Sequence, residues 1–418
     1  MKASRQTERA LLGGAIAIGW LAFGLSWLAA PVWEPQAFFY PAAISLALYL
    51  VHLSLRAMES GADELLLPLL TVPLFLGVAT LYRLDRASAF WQVIWILSGL
   101  GPLLLLQMVT DIRAWRDHWL LLLLLALGCL ASTLLFGIEV YGAKSWLKLG
   151  PMRFQPSEPA KILLALALAG YLSRRKELLL VRFWQLGPIK LPHPAYFGPL
   201  ALAVALTLLL MVVQRDLGTG LLLFGLFVCE LFVAAPRLDY LLLGFLALGA
   251  GGMVSYRLFN HVQTRINIWL HPWDQAAGQG YQVVQALLAI SAGGLLGAGL
   301  GQGSPQHIPA ITTDLTFVAW CEETGLAGSI ALIVVYMLLS QRGLKAALAS
   351  NDDFLTLVGV GLTSLFTLQS LVILGGALRL IPLTGVTLPL FNYGGSSLVS
   401  TLFSFGLILR LSAEERSS

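Results

Sequence analysis

Long apolar stretches of about 20 residues, the length of a bilayer-spanning helix, recur along most of the chain and constrain its fold more than any other feature. Inside hydrocarbon, every backbone amide and carbonyl must be paired within its own structure, which favours helices. The chain is 57% hydrophobic and 11% charged, too little polar surface for a soluble protein of 418 residues. The sequence therefore predicts an all-α polytopic membrane protein.

Twelve segments have the length and composition of transmembrane helices. They lie near residues 11–30, 38–55, 64–82, 90–110, 118–137, 158–173, 196–213, 218–234, 239–256, 316–340, 355–377 and 388–410. Segment 282–300 is also apolar, but it is rich in glycine and its most apolar part is short. We expect a re-entrant or interfacial helix there.

The basic residues predict the orientation, because Lys and Arg are retained on the cytoplasmic side. With the N-terminus inside, most of them fall in cytoplasmic segments, and the largest group lies at 174–190. Both termini are then cytoplasmic, with a large outer loop at about 257–315 and a smaller one at 138–157. The net charge of +4 is modest, which points to topology and lipid headgroups and away from nucleic acid. Any chemistry is expected at the outer membrane face.

The smaller loop and the next span read EVYGAKSWLKLGPMRFQPSEPAKI. Their cations are able to attract a lipid phosphate or pyrophosphate. The alternative is an interfacial loop with snorkelling lysines, in which Ser157 and Glu158 begin a helix. Lys161 lies inside the span, where a charge is costly and usually functional. The candidate binding residues of this stretch are Lys144, Lys148, Arg153, Ser157, Glu158 and Lys161.

The stretch QRDLGTG interrupts an otherwise continuous apolar sequence and predicts a tight turn between two helices at the outer surface. Its Gln214, Arg215 and Asp216 either bind substrate or form local polar contacts, and the two interpretations have equal weight. In the large loop, Arg265 is a further candidate cation. The histidines of that loop match no standard zinc spacing.

Three carboxylates lie where the large loop ends, in AITTDLTFVAWCEETGLAG. Asp314 precedes the apolar run, and Glu322 and Glu323 lie about two helical turns inside it. A carboxylate at that depth must face a cavity or a cation, or be protonated. For the two glutamates we favour a structural ion pair between helices, with Lys161 or Arg379 as the cation. For Asp314, the alternatives are a helix cap and a general base whose pKa is raised by burial.

Together these stretches resemble the SEDS family of polytopic membrane glycosyltransferases, the RodA and FtsW group that polymerises peptidoglycan. GAKSWLKLGPMRFQPSEPAKI resembles its first outer loop, with a specific Q-P-S-E-x-x-K core, and QRDLGTG resembles its Q-P-D-L-G-T. GQGYQVVQALLAISAGGLLGAGLGQG resembles the next block, and TTDLTFVAWCEETGLAG resembles H-T-D-F-I-F followed by G- or A-E-E-x-G. RLIPLTGVTLPLFNYGGSSLV resembles the closing P-x-x-G-x-x-x-P-x-x-S-Y-G-G-S-S motif. The likeness covers residues 64–418 and implies a ten-helix core, with 1–63 as an extension of two transmembrane helices.

The resemblance implies a reaction at the outer face of a bacterial cytoplasmic membrane. Family members join lipid II units: the 4-hydroxyl of the acceptor N-acetylglucosamine attacks C1 of the donor N-acetylmuramic acid. Undecaprenyl pyrophosphate leaves, and C1 is inverted. The aspartate of the H-T-D motif falls on Asp314, which becomes the candidate general base. The implied partner is a class B penicillin-binding protein, a transpeptidase, in cell elongation or division.

The leaving group needs cations more than a second acid, because pyrophosphate is already stable. A divalent ion such as Mg²⁺ or Mn²⁺ is a further candidate, with no assigned ligands. The stretch YGGSS either lets backbone approach a ligand, with Ser396 and Ser397 as contacts, or permits tight helix packing. The candidate cations for the pyrophosphate are Lys144, Arg153, Lys161, Arg215 and Arg265.

Several positions depart from the family pattern. Thr312 stands where histidine is usual, Leu315 where phenylalanine is, Arg215 where proline is and Asn392 where serine is. The support of Asp314 by a neighbouring imidazole is therefore missing. A flippase for lipid-linked precursors and a scaffold for a transpeptidase are the competing interpretations, and both should tolerate a neutral residue at 314.

Overall fold

The structure, a computed structural model, describes residues 5–29, 34–58, 60–108, 111–140, 143–150, 152–180, 182–186, 189–192 and 194–415. Tyr141, Gly142 and Pro151 of the quoted loop lie outside these residues, as do the two ends of the chain. The described residues form fourteen α-helices and five short strands.

The helices occur in every segment where a span is predicted. They are α1 (Gln6–Leu28), α2 (Phe39–Ala57), α3 (Leu66–Leu84), α4 (Arg86–Gln107), α5 (Trp119–Phe136), α6 (Ser157–Leu180), α7 (Pro194–Val213), α8 (Leu217–Ala234), α9 (Leu238–Leu258), α10 (Asn260–Leu270), α11 (Tyr281–Gly293), α12 (Thr316–Leu348), α13 (Asp353–Ala377) and α14 (Gly395–Glu415).

Eleven of the described helices are long and apolar enough to cross a membrane. This confirms the polytopic all-α class. Helix α6 coincides with the remaining predicted span and has 24 residues, but it is less apolar because it carries charges near both ends. Helix α11 has only 13 residues, which agrees with the expectation that it does not cross the bilayer. Helix α14 begins seven residues later than its predicted span, because the preceding segment contains Pro389 and Gly394 and is irregular.

Short strands, which the sequence analysis did not predict, occupy two loops. Strands β1 (Ile138–Val140), β2 (Ala143–Leu149) and β3 (Met152–Phe154) form an antiparallel sheet in that order. Strands β4 (Arg182–Leu186) and β5 (Ile189–Pro192) form a hairpin. Their apolar pattern is too brief to distinguish from that of a loop.

The chain divides into two compact units, and each is described separately. The first comprises Met1–Met108, Asn260–Arg342 and Gln369–Ser418, and the second comprises Val109–Phe259 and Gly343–Leu368. Helices α1 and α2 therefore belong to the same unit as α3, α4, α11 and α14. The division of the sequence at 63/64 remains a prediction about the family core.

A buried charge cluster fixes α1 to α2 within the first unit. Arg5, Glu8 and His52 are 1%, 0% and 1% exposed. Glu8 pairs with Arg5, and its Oε1 lies 2.5 Å from His52 Nδ1. Arg5 Nη1 also donates to the carbonyls of Ser60 (2.8 Å) and Ala62 (3.2 Å). Both N-terminal helices are thus an integral part of the unit.

Helix α12 is interrupted at Gly325, where φ is 64° and ψ is −164°. The loop that follows α11 supplies the hydrogen bonds that the break removes. The carbonyls of Glu322 and Glu323 each accept from a backbone amide of segment 294–299 at 2.9 Å. Two amides beyond the break donate to carbonyls of the same segment, at 3.0 and 3.1 Å. This pairing satisfies the requirement that irregular backbone at membrane depth be covered by protein.

The break predicts a large effect for Gly325→Ala. A Cβ at this position would lie 2.3 Å from the amide nitrogen of Gly297 and 2.7 Å from the carbonyl oxygen of Leu295. We expect a loss of unfolding free energy on the order of 3 kcal/mol, because strain and overpacking add. Thermal unfolding in detergent measures it, with Gly128→Ala in α5 as the control because no atom would lie within 4 Å of that Cβ. Equal melting temperatures would contradict the close packing of the loop against the break.

Candidate active site

Asp314 lies in the first unit, two residues before α12 begins at Thr316. A tight turn positions it: the amides of Thr313, Asp314 and Leu315 all donate to the carbonyl of Ala310, at 3.2, 3.0 and 3.3 Å. Ala310 itself has a φ of 52°, in the left-handed region. Within the described residues, the side-chain hydrogen bonds of this turn include none from a backbone amide to the Asp314 carboxylate. The alternative that Asp314 caps the helix is therefore not supported.

The surroundings of Asp314 suit a base. The residue is partly exposed, but desolvation by the surrounding protein raises the pKa of its carboxyl above the ordinary value. A hydrogen bond with the Thr313 side chain and the positive charge of Arg265 oppose this rise and lower the pKa less strongly. A carboxylate with a raised pKa accepts a proton more readily at neutral pH than an ordinary aspartate does.

Arg265 is brought close to Asp314 through the irregular segment after α13. Its Nη1 donates to the carbonyls of Leu383 at 3.3 Å and Thr384 at 3.0 Å. Gly385 follows, with a φ of 75°. A Cβ on Gly385 would lie 3.7 Å from Arg265 Nη2 and 4.0 Å from Asp314 Oδ2. Two predicted site residues, from separate segments of the sequence, therefore both lie beside this glycine, and a Cβ there would be in van der Waals contact with each charge.

The closing motif packs beside the Asp314 turn. The amide of Tyr393 donates to the Thr312 carbonyl at 3.0 Å. Ser396 and Ser397 are buried at the start of α14, and Gln369 Nε2 lies 3.3 Å from Ser397 Oγ. A role of the two serines in binding remains a prediction.

Glu322 and Glu323 hold the loop beyond α11. Glu322 Oε1 accepts from the Ser304 amide and Glu323 Oε2 from the Gly301 amide, both at 2.9 Å. Glu323 Oε1 also lies 3.9 Å from Nε of Arg83, which donates to two carbonyls of the same loop. Arg83 was missed by the sequence analysis, although its place at the end of α3 was a signal.

The cations expected to pair with these glutamates have other contacts. Lys161 Nζ lies 2.9 Å from Glu158 Oε2. Arg379 donates to the carbonyls of Trp269 at 2.8 Å and Leu270 at 2.9 Å. Those two choices of partner are therefore replaced by Arg83 and backbone amides, because the loop lies directly against the break in α12.

In the second unit, the small sheet displays predicted cations. Lys148 lies opposite Arg153 across β2 and β3, and both are exposed. No carboxylate among the described residues lies within ion-pair distance of either. Like charges placed opposite each other are unfavourable unless an anion approaches. Lys144 instead donates from Nζ to the Leu134 carbonyl at 2.7 Å, at the end of α5.

The three predicted residues of the turn between α7 and α8 make different contacts. Gln214 is buried and donates to the Leu130 carbonyl at 2.9 Å. Asp216 caps α8, because its Oδ1 accepts from the Thr219 amide at 3.1 Å. Arg215 is exposed with a φ of 59°, a value that the proline usual in the family cannot adopt. Of the three, Arg215 is the most exposed, and contact of any of them with substrate remains a prediction.

The start of α6 is buried. Ser157, Glu158 and Lys161 are 2%, 7% and 5% exposed. The Glu158–Lys161 pair spans one helical turn, which supports the helix. A contact of these three residues with substrate remains a prediction.

The part of the chain that the structure describes contains no group of three or more His, Cys, Asp or Glu side chains able to hold a metal ion. Mg²⁺ commonly needs only one or two carboxylates together with substrate phosphates. Asp314 could supply one carboxylate of that kind. The described residues alone, however, do not form a metal site.

Comparison with known proteins agrees with the motifs. The sequence matches the FtsW, RodA and SpoVE family, described as cell cycle proteins, over residues 36–417. It is 35% identical over 375 residues to the peptidoglycan glycosyltransferase RodA of Mycobacterium bovis. That alignment covers 86% of this chain and 80% of the relative. It is 32% identical over 345 residues to the stage V sporulation protein E of Bacillus subtilis, with 80% and 90% covered.

Solved structures give the same result. The fold resembles RodA of Thermus thermophilus with a TM-score of 0.61 and 29% identity, over 85% of this chain and 98% of that one. It also resembles a chain from a structure of a peptidoglycan synthase complex that coordinates polymerization and crosslinking, with a TM-score of 0.70, 30% identity and coverage of 85% and 99%. The chain thus belongs to the FtsW, RodA and SpoVE family, the SEDS group that its motifs resemble.

Proposed function

We propose that the protein is a peptidoglycan glycosyltransferase that polymerises lipid II at the outer face of a bacterial cytoplasmic membrane. The RodA relative of Mycobacterium bovis named above carries the name of this activity. One structural observation supports it most directly: the half-buried Asp314 and the exposed Arg265 both lie beside Gly385, where a Cβ would be 4.0 Å from the carboxylate and 3.7 Å from the guanidinium.

Asp314 acts as the general base. Its carboxylate takes the proton of the acceptor's 4-hydroxyl while that oxygen forms a bond to C1 of the donor. The bond between C1 and the pyrophosphate oxygen breaks, its electron pair stays with the pyrophosphate, and C1 is inverted. No second acid is required, unlike the hydrolysis of a glycoside. Arg265 stabilises the growing negative charge on the leaving group.

A divalent ion at this site is a further part of the proposal. Asp314 is the one carboxylate of the site described above, so an ion would have to be held mainly by the pyrophosphate of the substrate. Its chemistry would be to neutralise the leaving group.

We also propose a place and a partner. The basic residues support cytoplasmic termini, which puts the loop that carries Asp314 outside. A structural relative belongs to a complex that coordinates polymerization with crosslinking. A class B penicillin-binding protein that crosslinks the new strands fits as the partner here.

The test is polymerisation of purified lipid II by the reconstituted protein together with its cognate transpeptidase. Glycan strands and released undecaprenyl pyrophosphate are the expected products. Transfer of lipid II across proteoliposomes without any glycan would contradict the proposal and favour a flippase.

Arg265→Gln gives a pH-dependent prediction. The Arg265 cation lowers the pKa of Asp314, so its removal raises that pKa further. The base works only when deprotonated, and activity is lost as the pH falls through its pKa. We therefore expect the acid limb of the pH–rate profile to move to higher pH. Arg257→Gln, at an exposed position on α9, is the control, and an unmoved limb in Arg265→Gln would show that this cation does not act on the base.

A further inference from the structure

The side chain of Asn392 reaches the main chain beside Asp314. Its Nδ2 donates to the Thr313 carbonyl at 2.5 Å, and the next amide along, that of Tyr393, donates to the Thr312 carbonyl at 3.0 Å. Asn392 is 2% exposed and belongs to the first unit, as does Asp314. The residues just before Asp314 are therefore held from the side by segment 392–393.

Asn392 is held in turn by the helix beneath it. Gln92, which is fully buried in α4, donates from Nε2 to the Asn392 carbonyl at 3.1 Å. A chain of hydrogen bonds thus runs from α4 through Asn392 to Thr313. It connects a rigid helix to the irregular turn that carries Asp314.

The hydrogen bond from Asn392 to Thr313 leaves another polar atom of the same side chain unpaired. Asn392 Oδ1 is buried and has no hydrogen-bond partner among the described residues. Such an orphaned oxygen destabilises the fold. A serine at this position would carry no second polar atom, but its side chain ends one bond earlier and reaches less far towards the Thr313 carbonyl. The unpaired Oδ1 of Asn392 therefore lowers the stability of the fold, whereas its Nδ2 holds the turn through the Thr313 carbonyl.

We propose that Asn392 is a positioning residue that fixes the main chain of Thr313 and thereby the orientation of the Asp314 carboxylate. This inference rests on the proposed function for its kinetic consequences. Thr316 Oγ1 also donates to the Thr312 carbonyl, at 2.8 Å, but Asn392 is the side chain that binds the carbonyl of the residue directly before Asp314. A base misplaced by about 1 Å loses on the order of 10² in rate.

The test compares Asn392→Ala with Gln107→Ala in the full chain. Gln107 is the matched control, because it is also a buried amide of the first unit that donates to backbone carbonyls and has an unpaired oxygen. We expect Asn392→Ala to lower kcat about tenfold to a hundredfold with little change in KM. The acid limb of the pH–rate profile of Asn392→Ala should move to lower pH. A loosened turn admits water, and the smaller desolvation then raises the pKa of Asp314 less. Gln107→Ala should lose thermal stability without either kinetic change.

Hydrogen exchange provides a second readout that does not need activity. The amides of residues 313–315 should exchange faster in Asn392→Ala than in Gln107→Ala. Equal exchange rates in the two variants, or an unchanged kcat and acid limb in Asn392→Ala, would overturn the positioning role. A wild-type protein that makes no glycan would overturn the proposed function instead, and the exchange rates would still decide whether Asn392 holds the turn.

Discussion

Asp314→Asn is expected to reduce lipid II polymerisation by on the order of 10²–10⁴-fold, the usual contribution of a general base. Asparagine has nearly the same shape, but its amide cannot accept the proton of the acceptor hydroxyl. The backbone turn should survive, because it is made by amides that donate to the Ala310 carbonyl and not by the carboxylate. The rate loss should therefore appear at an unchanged melting temperature.

The comparison needs an aspartate in the same loop that lacks the site's surroundings. Asp274 is exposed, and Asp274→Asn makes the same chemical change. Glycan chains are quantified at equal amounts of folded protein, with the transpeptidase present in each case. We expect normal glycan output from Asp274→Asn and almost none from Asp314→Asn. Near-normal output from Asp314→Asn would show that this carboxylate is not the base.

Glu8→Met is expected to lower the free energy of unfolding by about 3–5 kcal/mol, as for other buried ion pairs that lose one partner. The methionine matches the length of the glutamate but leaves the Arg5 guanidinium, 1% exposed, without its carboxylate. His52 loses its hydrogen-bond partner at the same time. Because Arg5 also binds carbonyls of Ser60 and Ala62, the joint between α1, α2 and the next segment should loosen.

An exposed ion pair provides the contrast for this measurement. Lys176 Nζ lies 2.8 Å from Asp353 Oδ1, with side chains 40% and 53% exposed. Lys176→Met should cost less than about 1 kcal/mol, since solvent screens that pair. Thermal unfolding in one detergent compares the two variants. A similar small loss in both would mean that the charge cluster does not anchor the N-terminal helices.

The positions of the spans could be predicted because length and composition define them almost completely. The predicted segments 196–213 and 218–234, for example, coincide with α7 and α8 to within two residues. The break in α12 could not be predicted in this way. Its flanking residues are apolar enough to span as one helix, and only contact with the loop after α11 makes Gly325 a break and not a flexible helical glycine.

The residue types of the site were also recognisable, but their grouping was not. Asp314 and Arg265 were each predicted, and the structure places both near Gly385. Their proximity depends on how α10 and the segment after α13 pack, which no local pattern encodes. Asn392 looked like a mere departure from a motif until its contact with Thr313 gave it a role. Local signals identify chemistry, whereas long-range contacts decide which groups work together.

The paired break in α12 has a consequence for how the chain enters the membrane during synthesis. Segment 294–299 leaves the ribosome before residues 322–327, so its polar backbone has no partner when it first reaches the bilayer. Unpaired amides and carbonyls are costly in hydrocarbon. We therefore expect the insertion machinery to hold α11 and its loop at the edge of the lipid until α12 is translated, and then to release both as a single unit.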